Sequence, residues 1–278
     1  AREPDQLSRN ERLYVERMRF TELSFTLIDQ YMGMVHAGAR DGDYAKAAKL
    51  GEAGLATRIE LAEMNPTFTT RVIGRWHDRS SKPAERPGAW YENEVRQYMD
   101  LSALTDGTTG TLVAKLPLEW AFRRDPHDTG LPQGFAYRDA DLSFWNANKA
   151  RYATPQARTD YPTTKWELLR ADLYAQAQGV LHPDWQSFTG FMWYKTNIAL
   201  DEAQAKGTVH VHFPGLFSEA WLYVNGYLVA HRPQNHIWWH NSYAFDWDVA
   251  LSGHLQSGDN DITLRIHNTH HNGGLFPR

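Results

Sequence analysis

Residue patterning points to a mainly β protein with an α-helical N-terminal part: an antiparallel β-sandwich preceded by a helical hairpin. Three observations carry this. First, the stretch from Gly207 to Asn268 alternates. Val209, Val211 and Phe213 interleave with His210 and His212, and Ile262, Leu264 and Ile266 with Thr263, Arg265 and His267. A period of two means strands with one buried face. Second, Asn225-Gly226 lies between Leu222-Tyr223-Val224 and Tyr227-Leu228-Val229, the strongest short-range hairpin signal. Third, in the first part of the chain Leu13, Met18, Phe20, Leu23, Leu27, Ile28 and Tyr31 fall at helical spacing.

In chain order, Ser8 or Asn10 caps a first helix over 10–37, and Glu11 adds an acid to its first turn. Gly38 to Asp43 is a turn. Asp43 caps a second helix from Tyr44 to Met64, and Asn65-Pro66 ends it. Two helices with a short connection form an antiparallel hairpin, 1–66. Such a hairpin is too thin to enclose its own core. Gly33, Gly51 and Gly54 weaken it or mark close packing. Residues 67–109 are a connector holding Trp76, His77, Trp90 and Tyr91, with one short helix from Glu92 to Leu101. The sandwich spans 110–278. Thr111 to Leu116 reads as a strand, Leu118 to Phe122 as a second, and Pro117 separates them or marks a sheet edge. Residues 151–185 read as an inserted, partly helical loop. There is no internal repeat.

Composition narrows function. The chain has 278 residues, a formal charge of −4 and no cysteine. It lacks the basic field of a nucleic-acid binder, and disulfides and thiolate metal sites are excluded. No apolar run approaches the roughly 18 residues of a membrane helix. The polar start at Ala1-Arg2-Glu3-Pro4 has no signal-peptide pattern, and both ends are expected to be cut or processed. The strongest bias is aromatic, with 11 Trp and 13 Tyr; such rings serve cores, interfaces or sugar platforms.

A series of spaced motifs resembles the sugar-binding jelly-roll domain of glycoside hydrolase family 2, within the galactose-binding-like superfamily. Its members are Trp120-Ala121-Phe122, an Asp125…Gly130 turn, Asp141, Ser143 and Trp145, then Gly190 and Trp193-Tyr194-Lys195. Gly215, Ala220-Trp221-Leu222-Tyr223-Val224-Asn225-Gly226, Asp248-Val249 and Gly258-Asp259-Asn260 follow. The resemblance covers roughly 110–278 and implies a jelly roll in which Trp120, Trp145, Trp193 and Trp221 are structural. More weakly, the hairpin resembles helices that follow the barrel in alpha-glucuronidase-like and related glycosidase-type proteins. In the family the catalytic carboxylates come from a separate barrel domain, and this chain has neither the length nor the βα alternation for one.

Glycoside hydrolysis needs two carboxylates about 5 to 9.5 Å apart. Glu119, Asp125, Asp128, Glu219, Asp246 and Asp248 are available, none in a recognisable catalytic setting. His210 and His212, at i and i+2, with His267, His270 and His271 elsewhere, invite a metal reading; a polar sheet face with scattered histidines is the simpler one. No metal or cofactor is expected, apart from a structural calcium of the kind related galactose-binding-like domains hold. Asp139 and Asp141 are its available contributors. No Gly-Xaa-Ser-Xaa-Gly elbow or phosphate loop is present.

The loop His231 to Tyr243 is the individual feature. Trp238 and Trp239 are adjacent, so in extended backbone one faces the core and the other outward. An outward ring beside Arg232, His236, His240 and Asn241 would offer a pyranose a flat apolar face ringed by donors and acceptors. The alternative is an aromatic cluster that packs on the helical hairpin or on a neighbour domain outside the chain. The expected function is a non-catalytic, carbohydrate-binding-like module of a larger glycoside hydrolase-type protein, extracellular or periplasmic. Its expected partners are a carbohydrate and a catalytic domain of the same parent or another chain, with neither nucleic acid nor membrane. Two alternatives stand beside it: a purely structural module buttressing a catalytic domain outside this chain, and a glycoside hydrolase in its own right.

Overall fold

The computed structural model describes residues 7–64, 89–182, 186–234, 246–270 and 272–276. The chain divides into two compact units, Ala1–Leu112 and Val113–Arg278. Among the described residues no helix is long and apolar enough to cross a membrane.

The first unit is helical. Helix α1 spans Arg9–Val35 and runs into a π-helical turn at His36–Asp41, ended by Gly42 in the left-handed region. Helix α2 spans Tyr44–Met64 and α3 Ala89–Leu104. Ser8 caps α1, and its side chain and that of Glu11 satisfy each other's backbone amides. Asp43 accepts from the Lys46 amide at the start of α2. A small core forms where Met34 and Ala37 meet Ala47 and Ala48 of α2 and Val95 and Tyr98 of α3. The hairpin therefore gains a third helix. The sequence reading placed a shorter version of that helix, Glu92 to Leu101, inside the connector. The close-packing reading holds at Gly51, where a Cβ would sit 2.8 Å from Val95 Cγ2 and 2.9 Å from Met34 Sδ.

The second unit is built on a six-stranded antiparallel sheet. Its strands are β1 (Glu119–Asp125), β2 (Glu167–Arg170), β3 (Gly190–Leu200), β6 (Glu219–Val224), β7 (Tyr227–Arg232) and β9 (Gly258–Asn268), in the order β2-β1-β3-β9-β6-β7. Two short antiparallel pairs accompany it: β4 (His210–Phe213) with β8 (Trp247–Ala250), and β5 (Leu216–Phe217) with β10 (Gly274–Leu275). Short helices α4 (Ser143–Asn148), α5 (Pro155–Arg158) and α6 (Glu202–Lys206) lie between strands.

Alternation sorts the large sheet's two faces. Phe122, Met192, Tyr194, Ala220, Leu222, Val224, Ile262, Leu264 and Ile266 enter one core with Val211, Phe213, Leu216, Val249 and Leu275 from the short pairs. The β6–β7 turn has Asn225 at φ 50° and Gly226 at φ 83°, the double positive φ that an Asn-Gly hairpin requires.

Two readings need correction. Thr111 to Leu116 is not a strand; the first strand begins at Glu119. Residues 151–185 are not merely an inserted loop, because they supply β2, which pairs with β1 from Glu119↔Arg170 to Phe122↔Glu167. β2 is short and reads Glu-Leu-Leu-Arg, a pattern that gives period two little to work on.

Candidate functional site

The outer face of the large sheet is covered in part by the segment after β1. Asp125 organises it. Its Oδ1 accepts from the Thr129 amide at 2.8 Å, and its Oδ2 accepts from the Gly130 amide at 2.8 Å and from Trp193 Nε1 at 3.0 Å. Gly130 is required there, since a Cβ would lie 2.4 Å from Trp193 Nε1. The chain thus folds tightly over Trp193, and Phe135, Ala136 and Trp166 pack on Trp193, Ala121 and Tyr223. Lys195, pointing to the same face, donates to the carbonyls of Phe135 (3.2 Å) and Arg138 (2.6 Å). Burial holds its ammonium below the usual lysine range.

These contacts leave a cleft of about 290 Å³ lined by Arg123, Gln133, Phe135, Arg138, Asp139 and Trp166. Phe135 and Trp166 meet edge to face at 5.3 Å and form its floor. The Arg123 guanidinium lies 4.2 Å over the Phe135 ring and reaches Gln133 Oε1 at 3.4 Å. Its Nε is buried without a hydrogen-bond partner, and burial lowers its pKa against the pull of Asp125. Gln133, Arg138 and Asp139 form an exposed rim. The cleft is small for a ligand site, with one carboxylate, two guanidiniums and one amide converging on it.

A second cleft of about 280 Å³ is lined by Glu119, Trp145, Asn146, Lys149, Arg158, Leu168, Arg170 and Gln178. Its arginines are engaged. Arg170 pairs with Asp172 at 2.5 Å. Arg158 lies over Trp145 at 4.9 Å and 3.6 Å from Glu167 Oε2. Glu167 is 1% exposed between Arg158 and Arg124, the latter at 3.5 Å. Burial raises its pKa to about 7 while both arginines pull it down. The cluster locks β1, β2 and α5 together.

Elsewhere on the outer face, side chains stack on one another. His231 lies 4.8 Å from Trp221, and the Arg265 guanidinium sits 4.2 Å over Trp221 and 4.0 Å over Phe191. Phe191 in turn stacks on His267 at 4.2 Å. Arg265 also pairs with Asp128 at 2.5 Å, and Glu219 bonds His231 at 2.9 Å. His231 and Arg265 occupy the faces of Trp221, which fits its structural assignment.

Of the sequence-predicted site, His236, Trp238, Trp239, His240 and Asn241 lie outside the described residues. Arg232 is described: it closes β7 opposite Ala220 and donates to the Leu216 carbonyl at 3.2 Å. Burial lowers its pKa against the pull of Asp246. Asp141 accepts from the Ser143 amide at 3.0 Å, and its bonds to Ser143 hold its carboxyl below the usual range. His212 bonds Asp248 at 2.8 Å across β4 and β8. No group of three or more His, Cys, Asp or Glu among the described residues is arranged to hold a metal ion.

Sequence reasoning missed the first cleft. One signal was present. Trp120 and Phe122 point inward, so Arg123 must point outward and Arg124 inward, which demands a buried partner for Arg124. Gln133, Arg138 and Asp139 gave no such signal.

No family model matches the chain, and no curated protein matches it. Solved structures do. The β-glucuronidase of Ruminococcus gnavus is 14% identical over 54% of this chain and 20% of its own, with a TM-score of 0.37. The same enzyme in complex with D-glucuronic acid gives 14%, 54%, 21% and 0.37. A β-glucuronidase of an uncultured Clostridium sp. is 12% identical over 54% of this chain and 21% of its own, at 0.37. The chain spans about a fifth of the length of these enzymes, and the likenesses are distant in sequence and in shape.

Proposed function

We propose that residues 113–278 form a jelly-roll, galactose-binding-like module that binds a glycan without cleaving it. The module belongs to a larger carbohydrate-active, glycoside hydrolase-type protein working outside the cytoplasm, extracellular or periplasmic. One observation carries this reading: a concave cleft on the sheet's outer face, with the Phe135–Trp166 pair as floor and Arg123, Gln133, Arg138 and Asp139 as polar wall and rim. An apolar ring edge beneath convergent donors and acceptors suits a sugar residue. The cleft's carboxylate supports the non-catalytic half of the reading. Among the described residues Asp139 is the one carboxylate lining it, as Glu119 is in the second cleft, whereas hydrolysis takes a pair.

Titration of the full chain against a broad oligosaccharide panel tests this. Arg138→Ala and Asp139→Ala, both on the exposed rim, should each weaken the best ligand by about tenfold, or about 1.4 kcal/mol, with circular dichroism unchanged. Failure to retain any glycan, or equal retention by both variants, overturns the proposal. Turnover of an aryl glycoside that one carboxylate substitution abolishes overturns its non-catalytic half.

A second reading, an interaction module, is favoured by the outer surface of α1. Leu13, Tyr14, Val15, Met18, Phe25, Ile28 and Met32 are all exposed there, and contiguous exposed apolar surface marks an interface.

A further inference from the structure

The exposed apolar residues of α1 are ordered. Met18, Phe25 and Met32 are seven apart, and Tyr14, Thr21 and Ile28 are seven apart, offset from the first set by three and four. This is the a/d seam of a coiled coil, running over nearly three heptads. It is separate from the face that packs inward, where Phe20, Leu23, Leu27, Tyr31 and Met34 are buried or half-buried. Tyr14 is 67% exposed and Phe25 69%. From Ser8 to Arg19 every residue of the helix is exposed, more than two turns that no other described element buries. Thr21, the polar member of the seam, already satisfies its hydroxyl on the Arg17 carbonyl at 2.9 Å, so covering it would strand no donor.

The flanking charges say what covers the seam. With Met18 at an a position, Arg17 falls at g and Glu22 at e. In a parallel, in-register pair each g residue lies beside the e residue five positions on in the other helix. Arg17 therefore meets Glu22 twice, once on each side. In an antiparallel pair centred on the same seam the two Glu22 side chains would face each other, a like-charge contact. Neither residue has an ion-pair partner among the described residues, so both are available.

We propose that α1 pairs, parallel and in register, with α1 of a second copy of this chain. The proposal is independent of the glycan cleft, which lies in the other unit. Tyr14, Met18, Phe25, Ile28 and Met32 would be covered by their own symmetry mates, with Val15 at a flanking e position.

The chain contains no cysteine, so one introduced thiol reports on geometry without background. Thr21→Cys in the full chain should form a disulfide-linked dimer under mild oxidation, because in register the two Thr21 positions face each other. In the antiparallel arrangement Thr21 would face Phe25 and no such bond would form. Sedimentation equilibrium of the unsubstituted chain should show a dimer that grows with concentration. Phe25→Ser should abolish it, and the exposure of Phe25 lets the fold survive. Arg17→Glu should weaken dimerisation by roughly fivefold, and adding Glu22→Arg should restore it. A monomer at every concentration overturns the proposal. So does a dimer that Thr21→Cys does not cross-link, or one that Phe25→Ser leaves intact.

Discussion

In residues 113–278 the core encloses large apolar side chains: Trp120, Phe122, Met192, Trp193 and Tyr194 are no more than 2% exposed, though Tyr137 and Tyr227 face water. Among the described residues of 1–112 the buried hydrophobic set is Met34, Ala37, Ala47, Ala48, Leu61, Val95 and Tyr98, and the larger residues Tyr14, Phe25, Ile28 and Met32 face water. The sheet-bearing unit thus owes its stability to contacts within itself. The helical unit joins helices through small residues and leaves its bulk on the outside. Burial of a large side chain is worth about 1.5–3 kcal/mol, so what covers α1 matters to that unit as much as its own core does.

The sharpest way to break this contrast is Phe122→Ala. Phe122 is fully buried and meets Tyr194 edge to face at 4.8 Å. The substitution should cost about 3–5 kcal/mol. In urea, tryptophan fluorescence should shift to a lower midpoint while the far-UV signal of α1 to α3 keeps its own. A joint shift of both signals would mean the two units unfold as one.

A titration separates the units next. Burial raises the Glu94 carboxyl to about 7, with a side-chain bond from Tyr31 opposing it. The folded state therefore holds a proton that the unfolded state releases near 4.5. Helical-unit stability should fall as pH rises from about 4.5 to about 7, then level off, by on the order of 2 kcal/mol given partial exposure. Glu94→Gln should flatten that slope and leave the sheet unit's pH profile alone. A slope unchanged in the variant would refute the assignment.

Gly51→Ala probes the seam of small residues. Its methyl would press on Val95 and Met34, which costs about 1–3 kcal/mol by overpacking. Better helix propensity returns about 1 kcal/mol. A net loss of about 1 kcal/mol in thermal unfolding is expected, confined to the helical signal. A gain would mean that α2 and α3 separate freely.

How far the sequence revealed all this follows from where its periodicity is strong. Gly207 to Asn268 was legible because polar and apolar residues alternate in β4 and β9 and the Asn225-Gly226 turn fixes the pairing of β6 with β7. β2 was not, because four residues ending in a paired Arg show no alternation. The cleft was illegible for a different reason. Arg123 joins Gln133, Arg138 and Asp139 only because Asp125 and Lys195 pin the intervening loop over Trp193, a long-range arrangement that leaves no local repeat. Helical spacing marked α1, but of the seam it picked out only Met18 and Ile28, and it could not separate inward from outward residues. Both faces are apolar, and α2 and α3 decide which one is covered.

The smallest effect is expected at the N-terminal end of α1, and it bears directly on what holds that end. Ser8 Oγ accepts from the Glu11 amide at 3.3 Å and Glu11 Oε2 from the Ser8 amide at 2.8 Å; the same bonds hold the Glu11 carboxyl below its usual range. Ser8→Ala removes half of this box, a loss of about 0.5–1 kcal/mol, felt as fraying rather than unfolding. Amide exchange at residues 11–14 should quicken while exchange in α2 does not change. The effect should also depend on concentration. In dilute protein, loss of the cap should loosen the first turns. In concentrated protein, a paired α1 keeps Tyr14 and Met18 covered, and the same amides should stay protected without Ser8. Equal quickening at both concentrations would mean that the cap, and no covering helix, holds this end.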